Sequence, residues 1–161
     1  IEGAAEIGAT KVFFKNLTDD EAALVETEID ANSKYSVALK RVNGETKYAA
    51  VIAVNGYKID DANDADKFTL LGNEATATAN LKVAEAPMAT ISGQLTGPKD
   101  ADLKGDLTLQ LVPDNTAMAP LDVEIAKVSD GVYSFDNVKV EIGRTYTPAL
   151  TNADDYEISR F

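Results

Sequence analysis

Apolar residues recur at every second position through much of this chain. Val12 and Phe14 alternate with Lys11, Phe13 and Lys15, and Leu107, Leu109 and Leu111 alternate with Asp106, Thr108 and Gln110. A period of two places the two sets on opposite faces of a strand, so both segments read as half-buried strands. Ala77, Ala79, Leu81 and Val83 stand against Thr76, Thr78, Asn80 and Lys82 in the same way, and residues 67–71 read as a further strand. Residues 18–30 are ambiguous. Thr18 and Glu21 form a capping box ahead of good helix formers, yet Val25, Thr27 and Ile29 alternate with Glu26 and Glu28. In the matching later segment Leu121, Val123 and Ile125 alternate with Asp122 and Glu124, and Pro120 there breaks a helix. The pattern therefore predicts a strand over 23–29, after one helical turn at 19–22.

The matching segments belong to a repeat. Tyr35-Ser36 and Tyr133-Ser134 each open a strand and are followed at the same distance by Tyr48 or Tyr146. Tyr57-x-Ile59 and Tyr156-x-Ile158 come next. Residues 1–9 and 91–97 both read as short extended openings with Gly at the third place. Gly44 and Gly143 supply the tight connections. The expectation is an all-β chain of two tandem Ig-like β-sandwich domains, 1–86 and 87–161, joined by a short linker at 85–90 that Pro87 stiffens. The second copy stops early: residues 157–161 follow Tyr156, where the first copy continues into two more strands. Domain 2 is thus expected to lack its last strands, which would leave main-chain groups unpaired. Either a neighbouring chain supplies a strand, or the second module is smaller, or the chain was cut from a longer array.

Composition narrows the functions. The chain has 161 residues, 45% of them hydrophobic, and a net charge of −12. That charge disfavours nucleic acid and anionic lipid surfaces as partners. Cys and His are absent, which removes disulfides, thiol chemistry, zinc sites and histidine acid–base catalysis. No apolar run is long enough for a spanning helix, so membrane insertion is not expected. Ile1 is not a start residue, so a leader, a propeptide or an artificial boundary precedes it.

The best chemical candidate is the acidic loop carrying Asp60, Asp61, Asn63, Asp64 and Asp66, a calcium candidate because hard oxygens converge from a short stretch. Its spacing departs from the EF-hand form, since Ala65 and Asp66 stand where a ligand and the glycine belong. Asn152, Asp154 and Asp155 repeat the idea more faintly. The repeated tyrosines suit carbohydrate stacking or, more simply, inner-face packing with the hydroxyl bonded to main chain. Glu26 and Glu28 lie side by side on an outer strand face, a poor arrangement for glycoside hydrolysis. Residues 96–105 lack Ser or Thr after the lysines and a following helix, which argues against a phosphate loop. No catalytic motif is present.

Tyr133, Phe135, Val138, Gly143, Tyr146 and Tyr156 form a pattern that resembles the transthyretin-like modules known as carboxypeptidase-regulatory-like and Cna-B-like domains. The likeness covers most of 91–161 and, more weakly, 10–59. It implies an extracellular or cell-surface β-sandwich of the kind found in adhesins, pilus subunits and enzyme stalks. Many Cna-B-like modules carry a Lys–Asn isopeptide bond aided by a buried Glu. This chain departs there: Ala-Ala-Val-Ile follows Tyr48 and Thr-Pro-Ala-Leu follows Tyr146, which argues against such a bond through Lys11 or Lys15. The expected function is a non-catalytic subunit of an extracellular filament, pilus or surface layer. It would self-assemble into a homo-polymer by strand or edge complementation, with residues 1–9 and 156–161 at subunit contacts and no cofactor other than the calcium candidate. The alternative is a binding or spacer module, carbohydrate-binding among the options, from a larger secreted protein.

Overall fold

A computed structural model describes residues 1–41, 45–62, 66–70, 77–97, 108–151 and 158. The architecture is all-β, with several antiparallel sheets and no α-helix among the described residues. The chain divides into two compact units, Ile1–Ala86 and Pro87–Phe161.

Unit 1 contains β1 (Lys11–Asn16), β2 (Val25–Glu28), β3 (Thr46–Val51), β4 (Tyr57–Ile59), β5 (Lys67–Leu70) and β6 (Val83–Glu85). Four of these form an antiparallel sheet in the order β2-β1-β3-β5, while β4 pairs with β6. The two-residue period of β1 sends Val12 and Phe14 into the core, both fully buried. Phe13, expected to face water with Lys11 and Lys15, is buried as well, because β1 is flanked on both sides and the pairing sets Glu26 and Val51 beside it. Tyr48, Ala50, Ile52, Ile59 and Leu81 complete the buried cluster with Phe14 at its centre.

The ambiguous segment resolves as strand. Thr18 does not cap a helix; its hydroxyl accepts from the Lys47 N–H, and Asn16 Oδ1 takes the Thr18 and Asp19 amides. Only one turn, Ala22 N–H to Asp19 carbonyl, precedes β2, where Val25 to Glu28 pair with β1 instead. Residues 1–9 are not an extended opening. After Glu2 the chain turns, with Gly3 and Gly8 at φ +84° and +70°, conformations that glycine adopts freely. The linker is also shorter than expected, since β6 runs to Glu85 and the next strand starts at Met88.

Unit 2 contains β7 (Met88–Thr96), β8 (Thr108–Pro113), β9 (Leu121–Val123), β10 (Ala126–Ser129), β11 (Val132–Glu141) and β12 (Tyr146–Thr151). They form two three-stranded sheets, β10-β11-β7 and β12-β8-β9. Leu109, Leu111, Val123 and Val140 are the buried core, with Leu95, Phe135, Tyr146 and Ile158 packed on it. Pro148 sits in β12, an edge strand, where a missing N–H is tolerated. β11 bulges between Phe135 and Val138, with Asn137 at φ +58°. The bulge shifts the in/out alternation, so that Val138 and Val140 join Phe135 at the core although their numbers differ in parity.

Candidate functional site

In unit 1, residues 33–41 carry the first Tyr-Ser motif. The sequence predicts a strand there, and its side chains do alternate: Tyr35, Val37 and Leu39 are half-buried against the core while Lys34, Ser36, Ala38 and Lys40 are exposed. Yet residues 34–41 join no ladder among the described residues. Residues 77–81, the first part of another expected strand, behave alike, with Ala79 half-buried and Leu81 buried but pairing delayed until Lys82 and β6. Between the two segments lies a groove of about 1080 Å³. Phe14, Phe68 and Leu70 form its floor, and the side chains of the two flanking segments form its walls. Phe14 meets Tyr35 at 5.6 Å between ring centroids and Phe68 edge-on at 5.8 Å, so the floor is a packed aromatic surface.

One end of the groove shows its width. The Ile1 nitrogen donates to the Ser33 carbonyl on one flank. The Glu2 N–H donates to the Leu81 carbonyl, and the Val83 N–H to the Glu2 carbonyl, on the other. A single extended chain therefore bridges the two flanks, running parallel to Lys82 and β6. Away from Ile1 the same lane is lined by Tyr35, Val37 and Leu39 on one flank and by Ala77 and Ala79 on the other. Leu81 and Val83 turn their main-chain groups toward Glu2, so strand alternation turns those of Ala79 the same way, into the lane. On the opposite flank the Ser36 carbonyl accepts from the Thr27 hydroxyl of β2, so the Val37 N–H and carbonyl point into the lane. The Tyr35 hydroxyl reaches across and donates to the Ala79 carbonyl at 2.9 Å. Burial raises the Tyr35 pKa, keeping that hydroxyl a donor.

The turn that leads into this flank is held by Asp30. Its carboxylate accepts the Asn32 and Lys34 amides at 2.8 Å each, and the Lys34 amide above all lowers its pKa. Tyr48 buttresses the far end, its hydroxyl donating to the Lys40 carbonyl at 2.5 Å.

The residues that sequence singled out lie elsewhere. Asp60, Asp61 and Asp66 are on the β4–β5 connection; Asn63 and Asp64 lie outside the described residues, as do Asn152, Asp154, Asp155 and Tyr156. Asp60 accepts the Ala62 amide and Asp61 pairs with Lys58 at 2.8 Å, while Asp66 Oδ1 is buried without a partner among the described residues. No group of three or more acidic side chains able to hold a metal occurs among the described residues. Lys11 is exposed and pairs across strands with Glu26 and Glu28, and Lys15 lies near Asp20. Both lysines thus make ion pairs at the surface. The tyrosines serve packing: Tyr48 and Tyr133 are buried, and the Tyr146 hydroxyl accepts from the Glu141 N–H. Beside it Arg144 clamps buried Glu141 at 2.7 Å and Asp114 at 3.1 Å. Burial alone would lower the Arg144 pKa, but these two carboxylates outweigh it and raise it.

Sequence reasoning missed the groove. Its signal was present in Tyr35/Val37/Leu39 and Ala79/Leu81, but alternation marks an extended chain and not whether that chain has a neighbour. The chain matches no protein-family model, no curated protein and no solved structure. No helix among the described residues is long and apolar enough to cross a membrane.

Proposed function

We propose that this chain is a non-catalytic structural subunit of an extracellular filament, pilus or surface layer, built from two tandem transthyretin-like β-sandwiches and assembling by strand complementation. The observation that supports this reading is the lane in unit 1. Apolar residues such as Val37, Leu39, Phe68 and Leu70 line it, and at one end Ile1 and Glu2 make main-chain bonds to both flanks as a strand would. Main-chain pairing would supply affinity there, and the alternating inward side chains would set register. The occupant in this reading is a strand of a second copy. A contact of one subunit's lane with another subunit's strand is heterologous and propagates into a fibre. The chain has no His or Cys, and Glu26, Glu28, Asp30 and Asp61 are engaged at surface ion pairs and turns.

The test is negative-stain microscopy of the purified chain over a wide concentration range. Filaments or head-to-tail oligomers are expected. Particles that stay compact and monomeric at the highest concentration, with unit 1 folded, would remove the proposal.

A further inference from the structure

In unit 2, β7 is an edge strand of the β10-β11-β7 sheet, and no strand pairs with its other side among the described residues. The Gly97 N–H donates to the Gly131 carbonyl and the Ile142 N–H to the Pro87 carbonyl. Odd-numbered residues of β7 therefore turn their main-chain groups toward β11, and alternation turns those of Met88, Thr90, Ser92, Gln94 and Thr96 outward. Side chains alternate as well. Ala89 and Leu95 pack on the core, so Ile91 lies on the same inner face, yet it is 36% exposed. A strand added beside β7 would cover it. In unit 1 the extended chain beside the first Tyr-Ser segment, Ile1 with Glu2, has Lys82 and β6 on its far side.

Sheet edges are protected against pairing by charges or prolines. Every other edge strand among the described residues has one. Glu26 stands in β2, Lys67 in β5, Lys127 in β10, Asp122 in β9 and Pro148 in β12, and each strand of the β4–β6 pair holds a charged residue. The nine residues of β7, Met-Ala-Thr-Ile-Ser-Gly-Gln-Leu-Thr, include neither a charge nor a proline. Two molecules of net charge −12 repel each other, so a charge-free strip is where they can meet without desolvating a carboxylate. The strip also fits itself. Antiparallel pairing about a two-fold axis at Ser92 sets Ile91 opposite Gly93 and Ala89 opposite Leu95, a large side chain against a small one each time. On the outer face it sets Thr90 opposite Gln94 and Met88 opposite Thr96.

We propose that β7 is a self-recognition edge, pairing antiparallel with β7 of a second copy about a two-fold axis at Ser92. The contact is isologous and closes on itself. It is therefore separate from the groove of unit 1 and cannot by itself extend a fibre. One strand edge is a small contact. It holds weakly between free chains and firmly where a filament sets many copies side by side, and its role there is to join two filaments laterally.

The chain has no cysteine, so single cysteines placed in the full chain report contacts between copies. Thr90→Cys, Ser92→Cys and Gln94→Cys probe the β7 edge, and Thr147→Cys on the β12 edge reports chance collision; all four positions are exposed. Under mild oxidation Ser92→Cys is expected to dimerise several times faster than Thr147→Cys. Thr90→Cys mixed with Gln94→Cys is expected to crosslink faster than either variant alone. Equal rates at 92 and 147 overturn the contact. Thr90→Cys joining itself as fast as it joins Gln94→Cys overturns the two-fold register. Filaments that form without crosslinking at 92 leave the groove reading standing and remove this one. Crosslinking at 92 in a chain that forms no filaments keeps the β7 contact and removes the groove reading.

Discussion

The Tyr35 hydroxyl and the Ala79 carbonyl meet at 2.9 Å across a groove where two neighbouring strands would share main-chain bonds instead. A side chain here substitutes for a ladder. Removing the hydroxyl leaves the Ala79 carbonyl without its donor while preserving the ring against Phe14. Tyr35→Phe is therefore expected to lower the stability of unit 1 by about 1 kcal/mol, measured by chemical denaturation. No change would mean that the bond contributes nothing to the empty groove.

Phe14 is the reference point for the core of unit 1. It is fully buried and touches both Tyr35 and Phe68. Phe14→Ala is expected to cost about 3–5 kcal/mol through lost transfer energy and a cavity under the groove. A loss below about 1 kcal/mol would contradict the placement of this ring at the centre of the fold.

In unit 2, Gly93 stands opposite Phe135 in the β7–β11 register. A Cβ on Gly93 would lie 2.6 Å from the tip of the Phe135 ring. The aromatic ring covers the glycine, as cross-strand aromatics do for glycines in sheets. Gly93→Ala should therefore destabilise by about 1–3 kcal/mol through overpacking, and Gly93→Ala with Phe135→Leu should recover part of that loss. Additive losses in the double variant would show that the two residues do not share the space.

Acid should loosen the turn at the head of the groove. Asp30 and Asp61 have folded-state pKa values below the ordinary aspartate value, Asp30 chiefly through the Lys34 amide and Asp61 through Lys58. A depressed carboxylate stabilises the fold above its unfolded pKa, and that contribution is lost as pH falls through the folded value. Thermal stability should therefore drop as pH is lowered below about 4, and Asp30→Asn should show a shallower drop. An identical acid profile for the variant would remove Asp30 from the account.

The strands were legible in the sequence wherever alternation and partners coincided. Leu109 and Leu111, and Val12 and Phe14, turn inward as their two-residue period says, and the strand expected after Gly143 forms as Tyr146–Thr151. The turn at Gly143 was legible because its φ of +86° demands glycine. Three features were not. Gly3 and Gly8 lie in a stretch that reads as an extended opening, but both adopt positive φ and make turns. Phe13 looked solvent-facing because a period of two does not say which strands, here β2 and β3, lie on either side and pack their side chains beside it. The groove of unit 1 was not foreseen, and the expected open edge after Tyr156 falls on residues 152–157 and 159–161, outside the described residues. Pairing is a property of two chains side by side, and the Tyr35–Leu39 alternation carries only one of them.

The most direct measurement is sedimentation velocity of the full chain with and without Val37→Lys, at matched concentrations. Val37 lines the groove, half-buried against the core of unit 1. The unaltered chain should sediment as species that grow with concentration, while Val37→Lys, still folded by circular dichroism, should remain a monomer. Growth that is identical in the two chains, or no growth in either, would contradict the claim that this lane is where one subunit receives a strand of the next.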